Sequence, residues 1–327
     1  MSGPDSFAAG DLVSIVVPVF NRAHLVARSI ASLCHQSYRN IEIIIVDDAS
    51  SDDLDSALAA LDDPRIRLVR RARNGGVAAA RNDGMAAAQG AVIAFFDSDD
   101  ICVFNRIERQ AAVLADAPET VIGVYSSRLF HAELDEADYA AMRSYVRPWP
   151  QERPLSGDLF RATLRNNMIN FPSLMVRRAA LERAGPCDPL LRNNVDWDHM
   201  LRLTREGTFA FIPDPLLITP NPLAPEKAAA RLSKTVRFHT ASFVRITGKL
   251  RRAGHAGPEL AGHYCTAANY LMRTHRSRFA RRFLRAALRL KPISSRPWRL
   301  YLLSHTPRLF NRLRLWRERR RGLHRIH

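Results

Sequence analysis

Three clusters of polar and aromatic side chains in the first hundred residues have the types and spacing to do chemistry together. Asp97-Ser98-Asp99-Asp100 puts three carboxylates within four residues, and their mutual repulsion makes it costly to ionise them all. A hard divalent cation, Mg²⁺ or Mn²⁺, offsets that repulsion, and Asp oxygens suit either ion. In an extended segment Asp97 and Asp99 point the same way, so one can hold a ribose while the other holds the metal. Such a cation would neutralise the charge that develops on a departing diphosphate. The other two clusters are Pro18-Val19-Phe20-Asn21 and Asp47-Asp48-Ala49-Ser50. Each also has a bland reading. Asp47–Asp53 supplies ordinary cap and first-turn residues for a helix. Asn74-Gly75-Gly76-Val77 could approach a phosphate through backbone N–H groups, or could simply turn the chain into a helix.

These clusters share a place in the pattern of elements that must position them. Leu12–Val19 and Ile41–Val46 are runs rich in Ile and Val, as expected of parallel strands buried on both faces. Ile66–Val69 and Ala91–Phe96 read as further strands, and Arg22–Gln36, Asp52–Leu61 and Val77–Gln89 as the helices between them. Repeated βα units predict an α/β fold with a mostly parallel sheet and helices on both faces. Ligands of such sheets bind beyond the carboxyl ends of the strands, where all three clusters fall. The region from Val121 to Thr219 reads as short strands with helices at Asp158–Asn166 and Asp196–Glu206. A Pro-rich stretch, Pro213 to Pro225, then leads into a helical tail broken at Gly254–Pro258, Pro292, Pro297 and Pro307.

Charge divides the chain the same way. The net charge is +17 over 327 residues, yet residues 1–224 hold 23 Lys and Arg against 29 Asp and Glu, and residues 225–327 hold 26 against 3. This predicts a mildly acidic body over 1–224 and a basic helical region over 225–327. Four scattered cysteines with no CxxC pair fit neither a disulfide framework nor a zinc site, and predict a reducing compartment. Met1–Gly10 has no signal-peptide pattern, and no apolar run reaches the roughly 18–20 residues of a membrane span. A soluble protein, or one on a membrane surface, is expected.

Four motifs in order then carry a resemblance. They are Ser14-Ile15-Val16-Val17-Pro18-Val19-Phe20-Asn21, Ile45-Val46-Asp47-Asp48-Ala49-Ser50-Ser51-Asp52, Asn74-Gly75-Gly76-Val77-Ala78-Ala79-Ala80-Arg81-Asn82 and Phe96-Asp97-Ser98-Asp99-Asp100. Together they resemble the family 2 glycosyltransferases, inverting enzymes of the Rossmann-like GT-A fold. The resemblance covers residues 12 to about 220 and is strongest before residue 115. It implies a sugar transferred from a nucleotide-diphosphate donor, UDP-linked, to an acceptor hydroxyl, with Mn²⁺ or Mg²⁺ as cofactor. It implies that Pro18 and Phe20 line the base pocket, that Asp48 accepts a hydrogen bond from the base, and that Arg81 lies near the nucleotide with Asn82 structural. It further implies that Asp97 contacts the ribose and that Asp99 ligates the metal, Asp100 sharing or taking that role. Asp196, in Val195-Asp196-Trp197-Asp198-His199-Met200-Leu201-Arg202, matches the family's catalytic base.

Two departures accompany the match. Val195 and His199-Met200 replace the family's first acid and its Leu-Trp, and Leu217-Ile218-Thr219-Pro220-Asn221 lacks the Tyr-Arg and His that supply diphosphate contacts in relatives. Asp198 is the other candidate base, although its i+2 spacing turns it to another helix face. The departures motivate an alternative, a catalytically silent protein that binds nucleotide sugar or a membrane surface. In the tail, Phe279–Leu288 and Pro307–Trp316 mix Arg with Leu, Phe and Trp. That mixture fits a helix on an anionic membrane surface, or a helical appendage with a solvated Arg face. Expected partners are therefore a nucleotide-sugar donor, a glycan or lipid-linked acceptor and an anionic membrane, in cell-envelope or surface polysaccharide synthesis. The expected location is the cytoplasm, peripheral at the inner face of the plasma membrane. No nucleic-acid module is present to make nucleic acid an expected partner.

Overall fold

Ile and Val runs with no polar face build the centre of the sheet. The computed structural model describes residues 7–131, 156–167, 169–220, 236–273 and 276–313. In it β1 (Val13–Val19), β2 (Ile41–Asp47), β3 (Ile66–Arg70) and β4 (Val92–Phe95) lie parallel in the order β3-β2-β1-β4. Val19 pairs with Asp47 and Val16 with Phe95, so these strands deliver their carboxyl ends to one edge. β3 closes the sheet on that side, and exposed Arg67 and Arg70 on it discourage further strand pairing.

Alternation divides the buried strand residues between two cores. Ile15, Val17, Ile43 and Ile45 face one core, with α1 (Ala23–Cys34) and α4 (Arg106–Asp116). Val16, Ile44, Val46 and Phe95 face the other, with α3 (Val77–Ala87), α6 (Arg178–Ala184) and α7 (Val195–Leu203). α2 (Leu54–Ala59) and α5 (Phe160–Arg165) are short. α3 packs closely on β1 because Gly84 has no side chain. A Cβ there would overlap Val16 and come within 3.1 Å of Val46 Cγ2.

Beyond β4 the sheet becomes mixed, with β7 (Met175–Arg177), β6 (Val121–His131), β8 (Thr208–Pro220) and β5 (Ile101–Cys102) completing eight strands. β6 and β8 are not the short strands the sequence suggests. They run parallel over most of their length, with register shifts that include one between Ser126 and Ser127. Ser126 pairs with Ile212 and Ser127 with Pro215, so Pro213 and Asp214 loop out. A proline offers no ladder N–H, and a bulge absorbs it without ending the strand. The Pro-rich stretch therefore begins inside β8, and its continuation past Pro220 lies outside the described residues, as does the expected boundary at residue 224.

Two compact units make up the chain: Met1–Thr163 with Asn167–Leu232, and Leu164–Asn166 with Ser233–His327. The second holds α8 (Val236–Arg252), α9 (Leu260–Arg273), α10 (Ser277–Leu290) and α11 (Ser295–His305). Gly254–Pro258 and Pro292 separate helices as expected. Pro297 does not, because it sits in the first turn of α11, where no N–H is needed. All four cysteines are free thiols. Among the described residues no helix is long and apolar enough to cross a membrane.

His263 in α9 is fully buried beside Phe243 and Tyr264, with Thr247 Oγ1 3.0 Å from its Nε2. Burial pushes its imidazole down to about 4 from the ordinary 6.5. Between those values the unfolded chain binds the extra proton, so stability falls as pH drops through that window. Urea unfolding of the full chain should show the second unit losing up to about 3 kcal/mol between pH 6.5 and 4, with a smaller loss in His263→Gln.

Candidate functional site

The site is assembled at the carboxyl edge by loops that hold one another. Asn21 and Ala49, just beyond β1 and β2, both adopt positive φ, at 50° and 61°. Asn21 donates its N–H to Ser50 Oγ at 3.0 Å, and its Oδ1 accepts from the Ser51 N–H at 2.8 Å. Asp52 accepts the Ala23 N–H at 2.7 Å, so an acid of the second loop caps the helix that follows the first. Pro18 is half-buried and Phe20 is 43% exposed at this edge, leaving its ring open to a stacking partner.

Asp48 is buried and clamps the start of α3. Its Oδ1 accepts the Gly75 N–H at 2.9 Å and an Arg71 guanidinium hydrogen, and its Oδ2 accepts the Gly76 N–H at 2.7 Å. Gly76 has φ 84°, a conformation that favours glycine. The two glycine N–H groups that could have met a phosphate are thus given to Asp48. A carboxylate has about four lone-pair sites, so three donors leave Asp48 one acceptor position, on Oδ2. Arg71 also donates to Asp83 at 2.6 Å.

Farther along α3, Arg81 is buried with its guanidinium 4.5 Å from the centre of the Phe171 ring and donates to Asp97 Oδ1 at 3.1 Å. α3 therefore ties the end of β2 to the end of β4. Its Asn82 is structural, exchanging two hydrogen bonds with the Cys187 backbone at 2.9 and 2.7 Å. Asp97 is 38% exposed. Partial burial raises its carboxyl above the usual range, with Arg81 opposing and the charges of Asp99 and Asp196 adding to the rise. Asp196 thus acts on the same carboxylate as the β4 cluster.

Asp100 is buried, and burial together with Asp97 and Asp99 holds its carboxyl well above the ordinary value. Thr219 on β8 and Arg128 on β6 oppose that rise. Ser29 Oγ donates to the Ser98 carbonyl at 2.9 Å and pins the loop. Asp100 Oδ1 is buried with no hydrogen-bond partner, and Asp99 beside it is half-buried. Among the described residues no group of three or more His, Cys, Asp or Glu side chains is disposed to hold a metal. Two adjacent carboxylates, one with an unsatisfied buried oxygen, nonetheless fit an ion that takes its remaining ligands from phosphate and water.

Asp196 lies in the first turn of α7, which Asn194 opens with φ 58°. Asn167 Nδ2 donates to Asp196 Oδ2 at 2.7 Å and fixes its orientation. Asp198 points elsewhere: it is buried and accepts from Arg202 at 3.3 Å. Arg202 in turn donates to the carbonyls of Ala184, Gly185 and Pro186, so it fastens α6 to α7. Val195 and His199 are core residues. His199 Nδ1 is 3.0 Å from Cys187 Sγ, and its ring is 5.8 Å from Phe171. Arg71, Thr219, Asn167 and Phe171 escape sequence reasoning, since each acts on a residue in another segment. Arg192 escapes it too; its Nη1 lies 3.4 Å from the point where a Cβ on Gly76 would sit.

Comparison with known proteins identifies the family and the fold. The model for Glycosyl transferase family 2 matches residues 14–184. Escherichia coli WfgD, a UDP-Glc:alpha-D-GlcNAc-diphosphoundecaprenol beta-1,3-glucosyltransferase, is 40% identical over 103 residues, covering 32% of this chain and 41% of its own. The matches to the first curated relatives span 39–61% of those proteins' lengths. In fold the chain is similar to S. aureus TarS 1–349 in complex with UDP, with a TM-score of 0.59 at 16% identity over 91% of this chain and 87% of that one. It is also similar to the mannosyltransferase PcManGT from Pyrobaculum calidifontis in complex with GDP-Man and Mn²⁺, with a TM-score of 0.56 at 18% identity over 96% and 84%.

The clamp on α3 makes a specific demand on residue 48. In Asp48→Asn one acceptor survives, but the amide NH₂ must face a glycine N–H or Arg71. Urea unfolding should show a loss of about 2 kcal/mol, the cost of a charge-assisted bond lost and a buried donor left unmatched.

Proposed function

This chain belongs to glycosyl transferase family 2, and from that membership we propose that it transfers a sugar from a UDP-linked donor to an acceptor hydroxyl with inversion. The acceptor is a glycan or lipid-linked intermediate of a cell-envelope or surface polysaccharide, handled at the cytoplasmic face of the plasma membrane. One observation carries the reading: α3 joins Asp48 at the end of β2 to Asp97 at the end of β4, through the Gly75 and Gly76 N–H groups and Arg81, and Asp99 and Asp100 follow Asp97 at that same edge. The uridine donor and lipid-linked acceptor are supported by the relative named for UDP-Glc and a diphosphoundecaprenol acceptor, and by the UDP complex of a protein sharing the fold.

In this reading Phe20 stacks on the base, Pro18 lines its pocket, and the open position on Asp48 Oδ2 accepts the base N–H. Asp97 binds the ribose, and its ion pair with Arg81 keeps the carboxylate charged and aimed. Asp99 and Asp100 are the residues that would hold Mn²⁺ or Mg²⁺, whose chemistry here is neutralisation of charge on the departing diphosphate. Asp196, oriented by Asn167, takes the proton from the acceptor hydroxyl as its oxygen attacks the anomeric carbon opposite the leaving group. A single displacement of that kind inverts the centre. Val195 and His199, which motivate a silent binding protein, lie in the core, so their departure from the family pattern removes nothing from the mouth of the site.

Donor hydrolysis and transfer, measured across UDP-sugars with and without Mn²⁺, test this. One UDP-sugar should be turned over in a metal-dependent way. Asp196→Ala should lower turnover by about 10²-fold or more while leaving donor affinity unchanged. Tight donor binding without turnover on any glycan or lipid acceptor would identify a silent binding protein instead.

A further inference from the structure

The second unit carries a surface that sugar transfer does not use. Residues 276–313 contain eleven Lys and Arg and no Asp or Glu. On α10, Ala280, Leu284 and Ala287 are buried, while Arg278, Arg282, Arg285 and Arg289 form one exposed stripe. On α11, Pro297 and Ser304 are buried and the opposite side is open. Trp298 and Leu302, one turn apart on that side, are 47% and 65% exposed, and Ile293 in the turn before α11 is 97% exposed. Leu309 and Leu313 continue the exposed apolar series beyond the helix. Arg296, Arg299 and Arg308 are exposed among them.

A run of large apolar side chains is rarely left open on a protein surface unless a partner covers it. Here they are interleaved with cations that make no ion pair among the described residues, which selects against another basic surface and favours an anionic one. We propose that α10 and α11 dock this protein on an anionic bilayer, with Ile293, Trp298 and Leu302 entering the interface and the arginines meeting lipid phosphates. Indole is suited to that depth because its ring is apolar while its N–H is polar. The Trp298 N–H is already satisfied by the Pro292 carbonyl at 2.7 Å, so the ring can be immersed without stranding a donor. The arginine stripe adds attraction that reaches about one Debye length from the surface. Apolar insertion and charge should therefore both be needed for stable attachment. This concerns the second unit alone and stands whether or not the first transfers sugar.

Sedimentation of the full chain with vesicles tests it, using phosphatidylcholine alone and phosphatidylcholine mixed with phosphatidylglycerol. The wild type should sediment with the anionic vesicles and stay in solution with the neutral ones. Ile293→Ser combined with Leu302→Ser should weaken the anionic binding at least tenfold with an unchanged thermal midpoint, since both side chains are exposed. Absence of wild-type binding to anionic vesicles overturns the proposal, as does binding that the double variant retains in full. A wild-type dimer that the same substitutions dissolve, or a preference for single-stranded RNA over anionic vesicles, overturns it in favour of a second copy or a nucleic acid. Donor affinity measured on the same samples keeps this result separate from the transferase reading.

Discussion

Carboxylates gathered at the end of a buried sheet repel one another and lose solvation, so they persist only where fixed positive charge and N–H groups oppose them. In this protein one helix supplies that opposition. α3 starts on Asp48, which holds the Gly75 and Gly76 N–H groups, and one and a half turns later its Arg81 reaches Asp97. Two strand ends are joined through a single rigid element. Arg81 is itself buried over the Phe171 ring, so the guanidinium has little freedom to leave. The spacing between the base end and the ribose end of the proposed donor site follows from the length of that helix.

The same economy runs through the acceptor side. Phe171 also borders His199, His199 meets Cys187, and the Cys187 backbone is fastened to Asn82 of α3. α7, which carries Asp196, is thereby linked through Cys187 to the helix that carries Arg81. Burial pushes the Cys187 thiol up to about 11, so it serves in packing as a neutral group. Asp196 needs only the Asn167 amide to aim it from there. Replacement of the family's usual residues at 195 and 199 reads as repacking of this support.

Much of this was legible because fully buried parallel strands have a distinctive composition. Ile41 to Val46 contains no residue that could face water except Glu42, and Glu42 is satisfied by Ser14, the Gln89 N–H and Arg67. Once the strands are placed, the topology of a βα sheet puts residues 18–21, 47–50 and 97–100 at one edge with no further information. The second half resisted because its signals are not local. Pro213 and Pro215 suggest an end to structure, yet a bulge carries β8 past them to bring Thr219 onto Asp100. Arg71, Arg81 and Asn167 act through partners 12 to 29 residues away. Pairing at such range leaves no periodicity in the sequence.

In the proposed function one edge of the sheet gathers the groups for donor, cation and acceptor. A crystal structure of the protein with UDP and Mn²⁺, phased on the manganese anomalous signal, tests it most directly. Manganese should be coordinated by Asp99 or Asp100 and by the diphosphate, with the uracil between Phe20 and Asp48 and the Asp196 carboxylate facing the same cavity. A nucleotide seated away from that edge, or manganese bound without either carboxylate, would contradict it.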